Sequence, residues 1–597
     1  MKTLKKLLLV VLSLTLSVSA VACGKQTGPD IDKNKQQIYV YVTDDGRGYT
    51  WAEDLAEKYN ALPENSGYQV VVRHGADAIT TFSSHLEAKT TDINIFFGAY
   101  NSFTSMIEKG QLLDVSDIYE MKVDGTDVKI KDKMKYYEDY VANFKNVRGQ
   151  GTYGIPYTQV VGGNLIFDYD FFLANDYMVY AESSELDAIN AQEGSAVAKV
   201  SGSKIKATVA FGNYEEGDYV LSKGKDGKYG TYDDGQETTM DGFNSLISKI
   251  VRDHNVPYIY TAKYGSGYTE PVFNTLLVQA MGYENYFNFM NLSGELKDAS
   301  GNVQFTFTDD NGADAWGSDI VKNAYQDAAK FYKENIIGYT DIANRNKMVW
   351  NKTLNNKSSF SHQDAQAEYV MGFYTANADV GEPAFLIEGS WWEFEAKNSL
   401  VNSAKYGDGR GFGAREYRVY LKPVTENQIG DKDVTVLSGD LSHGVLFNNI
   451  PSKLKGSKED FIAKCKDFMA YTLTDENMAY YTETTGIEKP FRYNMTDAQL
   501  AKLTPFQRNI REMLADTTHI KQAIISKNVN PIRSYGGIDN LMTESLSGVT
   551  NIAYDSIYSF FNGVGNTDYK NYYLAVKANI ESDFATAKTM VDNYLKG

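Results

Sequence analysis

Ile38-Tyr39-Val40-Tyr41-Val42 is a run of β-branched and aromatic residues that stops at Thr43-Asp44-Asp45-Gly46, the pattern of a buried strand feeding a loop. Trp51, Leu55, Ala56 and Tyr59 then recur at helical spacing. Tyr68–Arg73 predicts a second strand, Ala76–Ala88 a helix and Asp92–Phe97 a third strand, before a helix through Phe103, Met106 and Ile107. Strand–helix alternation of this kind predicts a parallel α/β sheet, and ligands of such sheets sit beyond the carboxyl ends of the strands. Thr43–Gly46 and Gly98–Asn101 are therefore expected at a cleft.

The N-terminus has a different pattern. Lys2, Lys5 and Lys6 precede an apolar run, Leu7 to Ala22, that ends in small residues. The run is shorter than the ~20 residues that span a bilayer, so residues 1–22 read as an export signal and place the mature chain outside the cytoplasm. Ala20-Val21-Ala22 before Cys23 resembles a bacterial lipobox. That resemblance implies that Cys23 is lipidated and anchors the protein to the outer face of the cell membrane. Residues 23–37 are polar and without periodicity, a flexible tether.

With 597 residues the chain exceeds a single core and is expected to form more than one domain. A net charge of −18, more negative once the lysine-bearing leader is removed, argues against nucleic acid and anionic lipid as partners and favours a neutral or cationic ligand. Cys23 and Cys465 are the two cysteines, so with Cys23 lipidated no internal disulfide is expected. The 44 Tyr, 29 Phe and 5 Trp supply rigid, flat, amphipathic rings, which fill cores and also suit the faces of sugars. The sequence contains no Gly-x-x-x-x-Gly-Lys-Ser/Thr, Gly-x-Ser-x-Gly or His-Glu-x-x-His pattern.

Four segments in order carry a family resemblance: TDINIFFGAYNSFTSMIEKGQLLDVSDIYE (Thr91–Glu120), YGIPYTQVVGGNLIFDYDFF (Tyr153–Phe172), EPAFLIEGSWWEF (Glu382–Phe394) and the stretch Val436–Pro490. Together they resemble the extracellular solute-binding lipoproteins of carbohydrate ABC importers, the maltose-binding-protein-like family 1. The resemblance implies an α/β, two-lobe, periplasmic-binding-protein-like (type II) fold with a ligand cleft between lobes and crossover hinge strands. Lobe one is expected from 38–157 and 440–489. Lobe two is expected from 158–439 and 490–597, with insertions at about 176–239 and helices after Pro490 packed on it. The implied function is capture of a carbohydrate, an oligosaccharide, for delivery to two permease subunits and a cytoplasmic ATPase by a monomer that is not an enzyme. The alternative is a secreted polysaccharide-degrading glycosidase or lyase, whose two catalytic carboxylates sequence alone does not exclude.

A sugar needs polar groups at its rim and an aromatic plate beneath. By resemblance a Trp after Gly389-Ser390 lines the cleft. Neighbouring residues of an extended segment face opposite ways, and the family spacing favours Trp391 as the plate and Trp392 as packing. Glu388 is a nearby carboxylate. Asp44 and Asp45 end the first strand, as ligand contacts or turn formers, and Tyr100 and Asn101 end the third. Tyr157 sits at the first crossover, for stacking or hinge packing, and Asp440 and His443 sit in the return crossover. Asp226, Asp233 and Asp234 in KGKDGKYGTYDDG offer oxygens to a structural Ca²⁺ or form plain Asp-Gly turns. No other cofactor is expected.

Overall fold

Alternation along strand β1 (Gln36–Thr43) gives it two apolar faces. A computed structural model describes residues 31–44, 48–99, 104–146, 149–191, 195–199, 206–210, 219–261, 263–337, 360–375, 382–403, 411–523, 557–564 and 568–596. Ile38, Val40 and Val42 pack against Trp51, Leu55 and Tyr59 of helix α1 (Thr50–Asn60), while Tyr41 points the other way. Strand β2 (Tyr68–Gly75) and strand β3 (Ile95–Ala99) flank β1 in parallel. Helix α2 (Ile79–Glu87), between them, meets Tyr41 through Phe82, ring centroids 4.9 Å apart. Helices thus cover both faces of a parallel sheet, as the pattern predicts.

Strand β4 (Ile155–Gly162) leads through Gly163 to β5 (Asn164–Asp168). Gly163 has φ +61°, and a Cβ there would lie 2.5 Å from Cβ of Pro271, so the turn needs glycine twice over. There follow α3 (Met240–Arg252), β6 (Val256–Ile259), α4 (Gly265–Met281), α5 (Asp319–Phe331), β7 (Pro383–Glu388) and β8 (Tyr417–Tyr420). The chain ends with β9 (Thr435–Leu446), α6 (Pro505–Ala515), β10 (Ile520–Ala523) and α7 (Lys570–Lys596).

The strands form two main sheets, one per lobe. The first runs β10-β9-β3-β1-β2, with β4 also on β9; the second runs β8-β5-β7-β6. In the second sheet Phe167, Phe385 and Ile387 face one core cluster while Ile166 and Leu386 face another. The two-lobe α/β expectation is met, with strands crossing between lobes. The chain passes between the sheets at Gly162–Asn164, before Thr435 and before Ile520. These passages are neighbours in one ladder, because Ser438 pairs with both Gly162 and Ala523.

That ladder corrects the expected boundaries. Pairing of β9 with β4 runs from Ser438↔Gly162 to Gly444↔Ile155, so β4 stays in lobe one past residue 157 and β9 joins it before residue 440. Within the expected insertions, Ser195–Lys199 pairs with Lys206–Ala210 and Tyr219–Val220 in a separate antiparallel sheet. After Pro490, Phe506, Ile510, Met513 and Leu514 of α6 join the lobe-two core, as do Tyr572, Val576, Ile580 and Phe584 of α7. The leader, Cys23 and the start of the tether lie outside the described residues. Among the described residues no helix is long and apolar enough to cross a membrane.

Cys465 is fully buried, and burial raises its thiol pKa far above the ordinary value. In protein lacking residues 1–23, Ellman's reagent is expected to find no reactive thiol in the native state and one per chain in denaturant. Rapid native labelling would contradict this packing.

Candidate functional site

The carboxyl ends of the parallel strands in the two lobes come together at the seam around residues 389–394. The Ser390 N–H donates to the Val161 carbonyl at 2.8 Å, and the Val161 N–H donates to Ser390 Oγ at 3.2 Å, tying the turn after β7 to the last residues of β4. Trp391 follows. Its indole folds back over Gly389, where a Cβ would sit 2.2 Å from the ring, and its edge lies 3.5 Å from the Cβ position of Gly162. Only glycine at 389 leaves room for the ring. Trp391 is half-buried, packs against the core of lobe one and lies beside the Tyr268 side chain at the start of α4. A lobe-two residue therefore presents an aromatic surface at the junction of both lobes.

Other rings gather there. Phe394 reaches lobe one at Gly48, 3.9 Å from its Cβ position. Tyr268 stacks on His362, with centroids 5.9 Å apart and planes 12° apart. On the lobe-one side, Tyr49 stacks face to face with His74 at 3.4 Å. Asp44 is exposed at the end of β1, and its N–H donates to the Gly75 carbonyl at 2.7 Å.

Trp392, the less favoured of the two ligand candidates, is a core residue. It is fully buried and meets Tyr417, Phe506 and Tyr369 edge-on at 4.9, 5.9 and 6.0 Å. The reason is local: residues 392–395 form a helical turn, which directs Trp392 inward beneath the turn that carries Trp391. Tyr157 is likewise core. It is 3% exposed and packs with Trp51 and Phe97 at 5.8 and 5.3 Å. Lys489 Nζ donates to the Tyr157 carbonyl at 3.0 Å and lies 4.3 Å from the Tyr481 ring centre; burial holds this lysine down at about 7. His443 is fully buried between Phe96 and Phe144, on a strand flanked on both sides, and does not face the seam. The backbone of Asp440 pairs with Val160. Asp45, Tyr100, Asn101 and the Asp440 side chain lie outside the described residues.

Glu388 is buried too. It accepts from the Gly389 N–H at 2.7 Å and from Gln366 Nε2 at 3.1 Å, and the same Gln366 nitrogen reaches Glu395 at 2.9 Å. Burial, reinforced by Glu395, raises its carboxyl well above the ordinary range. Burial also pushes Glu393 up to about 7; the Thr504 hydroxyl donates to its Oε2 at 2.5 Å, and its Oε1 has no partner among the described residues. These carboxyls lie behind the Trp391 turn.

The Asp226, Asp233 and Asp234 carboxylates are close together and buried, and protein donors occupy them. The Asp226 N–H donates to Asp233 at 3.2 Å, the Gly230 N–H to Asp234 at 2.6 Å, and the Thr231 hydroxyl to both, at 3.1 and 3.3 Å. Among the described residues no group of three or more His, Cys, Asp or Glu is arranged to hold a metal ion. The turn accounts for these carboxylates through its own hydrogen bonds.

No protein-family model and no curated protein sequence matches the chain. Similar solved structures include one from a study of xylan utilization by the thermophilic bacterium Caldanaerobius polysaccharolyticus, 14% identical, covering 91% of this chain and 100% of that one at a TM-score of 0.48. A chitin oligosaccharide binding protein is 14% identical, with 92% and 99% covered and a TM-score of 0.48. RafE in complex with raffinose is 13% identical, with 91% and 98% covered and a TM-score of 0.44. Similarity at this level assigns neither ligand nor residue roles to this chain.

Two measurements test the site. Trp392→Ala is expected to cost about 3–5 kcal/mol of stability by urea unfolding, and the half-buried Trp391→Ala clearly less. For Glu393, a folded-state pKa above the unfolded value means that the unfolded chain loses its proton first. Stability therefore falls as pH rises from about 4.5 through about 7, by at most about 3 kcal/mol from this group. Glu393→Gln is expected to flatten that decline in thermal melts between pH 4 and pH 9.

Proposed function

We propose that this protein captures a neutral carbohydrate between its two lobes outside the membrane and delivers it to an ABC importer, without chemical conversion. The observation that carries the reading is Trp391. It is a partly exposed indole on lobe two, held over Gly389 and Gly162 at the seam. Its face remains the kind of surface that sugar C–H groups cover, while Asp44 supplies a rim carboxylate at the end of β1. A stack hiding ~100 Å² contributes roughly 2.5 kcal/mol at ~25 cal/mol per Å², and a hydrogen bond to a carboxylate adds ~1.5–3 kcal/mol. After the cost of association, two stacks and a few such bonds give a roughly micromolar Kd, strong enough to capture and weak enough to release.

Closure of the lobes about the adjacent crossing strands is the output that permease subunits, energised by a cytoplasmic ATPase, would recognise. Ligand moves that equilibrium only by preferring the closed form. Lipidation of Cys23, with more than one acyl chain for stable anchoring, would keep the carrier at the outer face of the membrane.

Calorimetric titration of the mature protein against a panel of xylo-, chito-, malto- and raffinose-type oligosaccharides tests the proposal. Saturable binding to one class is expected, with Trp391→Ala weakening it roughly 30-fold or more, the loss of about 2 kcal/mol of stacking. The same mixtures should release no new reducing ends over hours. Turnover of the oligosaccharide, or binding that is indifferent to Trp391, would reject the reading.

A further inference from the structure

The chain also passes from lobe one to lobe two between residues 493 and 506, outside the ladder of crossing strands: Phe491 and Tyr493 pack in the lobe-one core and Phe506 of α6 in the lobe-two core. Beside this passage lies a hollow of about 330 Å³, within the ~300–1,000 Å³ typical of small-molecule sites. Lys135 and Arg492 line it from lobe one, where the Lys135 N–H donates to the Pro490 carbonyl at 2.9 Å and the Arg492 N–H to the Lys133 carbonyl at 2.7 Å. Arg511 and Ala515 of α6 line it from lobe two, and Trp391, Tyr268, Phe394 and Asp44 are absent from its walls.

Both carboxylates of the wall are committed. Glu488 accepts from Arg511 Nη1 on its two oxygens, at 2.9 and 2.7 Å, and from the Tyr493 hydroxyl at 2.8 Å, while Asp475 pairs with Lys133. The cations are not matched in this way. Among the described residues the Lys135 ammonium makes one hydrogen bond, to the Gln159 amide oxygen at 3.1 Å, which leaves two of its three N–H donors without a protein acceptor. The Arg492 guanidinium, on an exposed residue, donates only to the Met134 carbonyl, at 3.1 Å. Neither side chain is in an ion pair among the described residues. Lys135 is 8% exposed, and burial lowers its pKa, an effect that Glu488 opposes and that Arg511 and Arg492 reinforce. An ammonium buried beside two guanidinium groups is costly, and an anion offsets that cost.

We propose that this hollow is a second binding site, separate from the seam, for a small anion with two or more oxygens, of carboxylate or phosphate type, held by Lys135 and Arg492. The planar guanidinium fork matches a pair of anionic oxygens, and the ammonium adds a point charge. A cation would meet two positive charges without counterions and two carboxylates already taken. A neutral sugar would leave both positive charges as they are. The local balance thus runs against the net charge of −18 of the whole chain. Because the walls come from both lobes, an anion seated there joins them beside the passage.

Titration of the full mature protein at constant ionic strength tests this, with inorganic phosphate followed by ³¹P NMR line width and succinate by saturation-transfer NMR. Saturable binding of at least one of the two is expected, and which one responds separates a phosphate site from a carboxylate site. Arg492→Gln or Lys135→Gln should weaken that binding about tenfold, while Lys577→Gln, on α7 away from the hollow, should leave it unchanged. Arg492 is exposed, so its substitution keeps the test readable if Lys135→Gln disturbs folding. No saturable response to either anion, binding that survives both substitutions, or an equal loss with Lys577→Gln overturns the proposal. Failure of the seam reading in calorimetry would leave this outcome untouched.

Discussion

The rest of the structure depends on three of the chain's passages between lobes, which lie side by side in one hydrogen-bonded ladder. Ser438 faces Gly162 on one side and Ala523 on the other, and Thr435 faces Ile520. Separate crossings would leave the lobes independently tethered; paired crossings make them act as a single band. Polar side chains strengthen it. Gln159 of β4 donates to Gln522 of β10 at 2.7 Å, Lys135 donates to Gln159 at 3.1 Å, and the Tyr140 hydroxyl donates to Gln522 at 3.2 Å. A buried network that satisfies its members fixes one arrangement of these strands.

The Trp391 turn is built on the same band. Its neighbour Ser390 is bonded to Val161, at the end of β4, so the turn is held to the crossing rather than standing as a free loop. Behind it lie two carboxyls whose pKa burial raises, Glu388 and Glu393, and in lobe one lies Lys489, whose pKa burial lowers among Trp51, Tyr157 and Tyr481.

Strands β1 and β3 were legible because lobe one buries both faces of its sheet and they read as apolar runs, whereas β4, with Thr158 and Gln159, was placed by the family resemblance. The same property hid the orientation of Tyr157. Every position of β4 is buried, so nothing in the sequence separates a ring facing the core from one facing the cleft. Trp391 and Trp392 were separable because adjacent side chains diverge, although the segment proved to be a turn entering a helix rather than a strand. Tyr268 and Phe394 were missed as site residues: one opens a helix inside a Gly-rich stretch and the other follows the Trp pair, and neither position has a periodic signal. The Asp-rich turn left a cation site and a plain turn both open because Asp-Gly patterns serve both purposes, and the structure adds the hydrogen bonds from Gly230 and Thr231 to its carboxylates.

The central claim is that two lobes move about one paired band and that ligand selects the closed arrangement. Spin labels at Glu53→Cys in lobe one and Lys397→Cys in lobe two, with Cys465 buried and unreactive, read that motion directly. Distances measured by double electron–electron resonance are expected to spread over an open and a closed population in the free protein. They should collapse onto the shorter distance with saturating oligosaccharide. A single distance, unchanged by a ligand that calorimetry shows to be bound, would contradict the account.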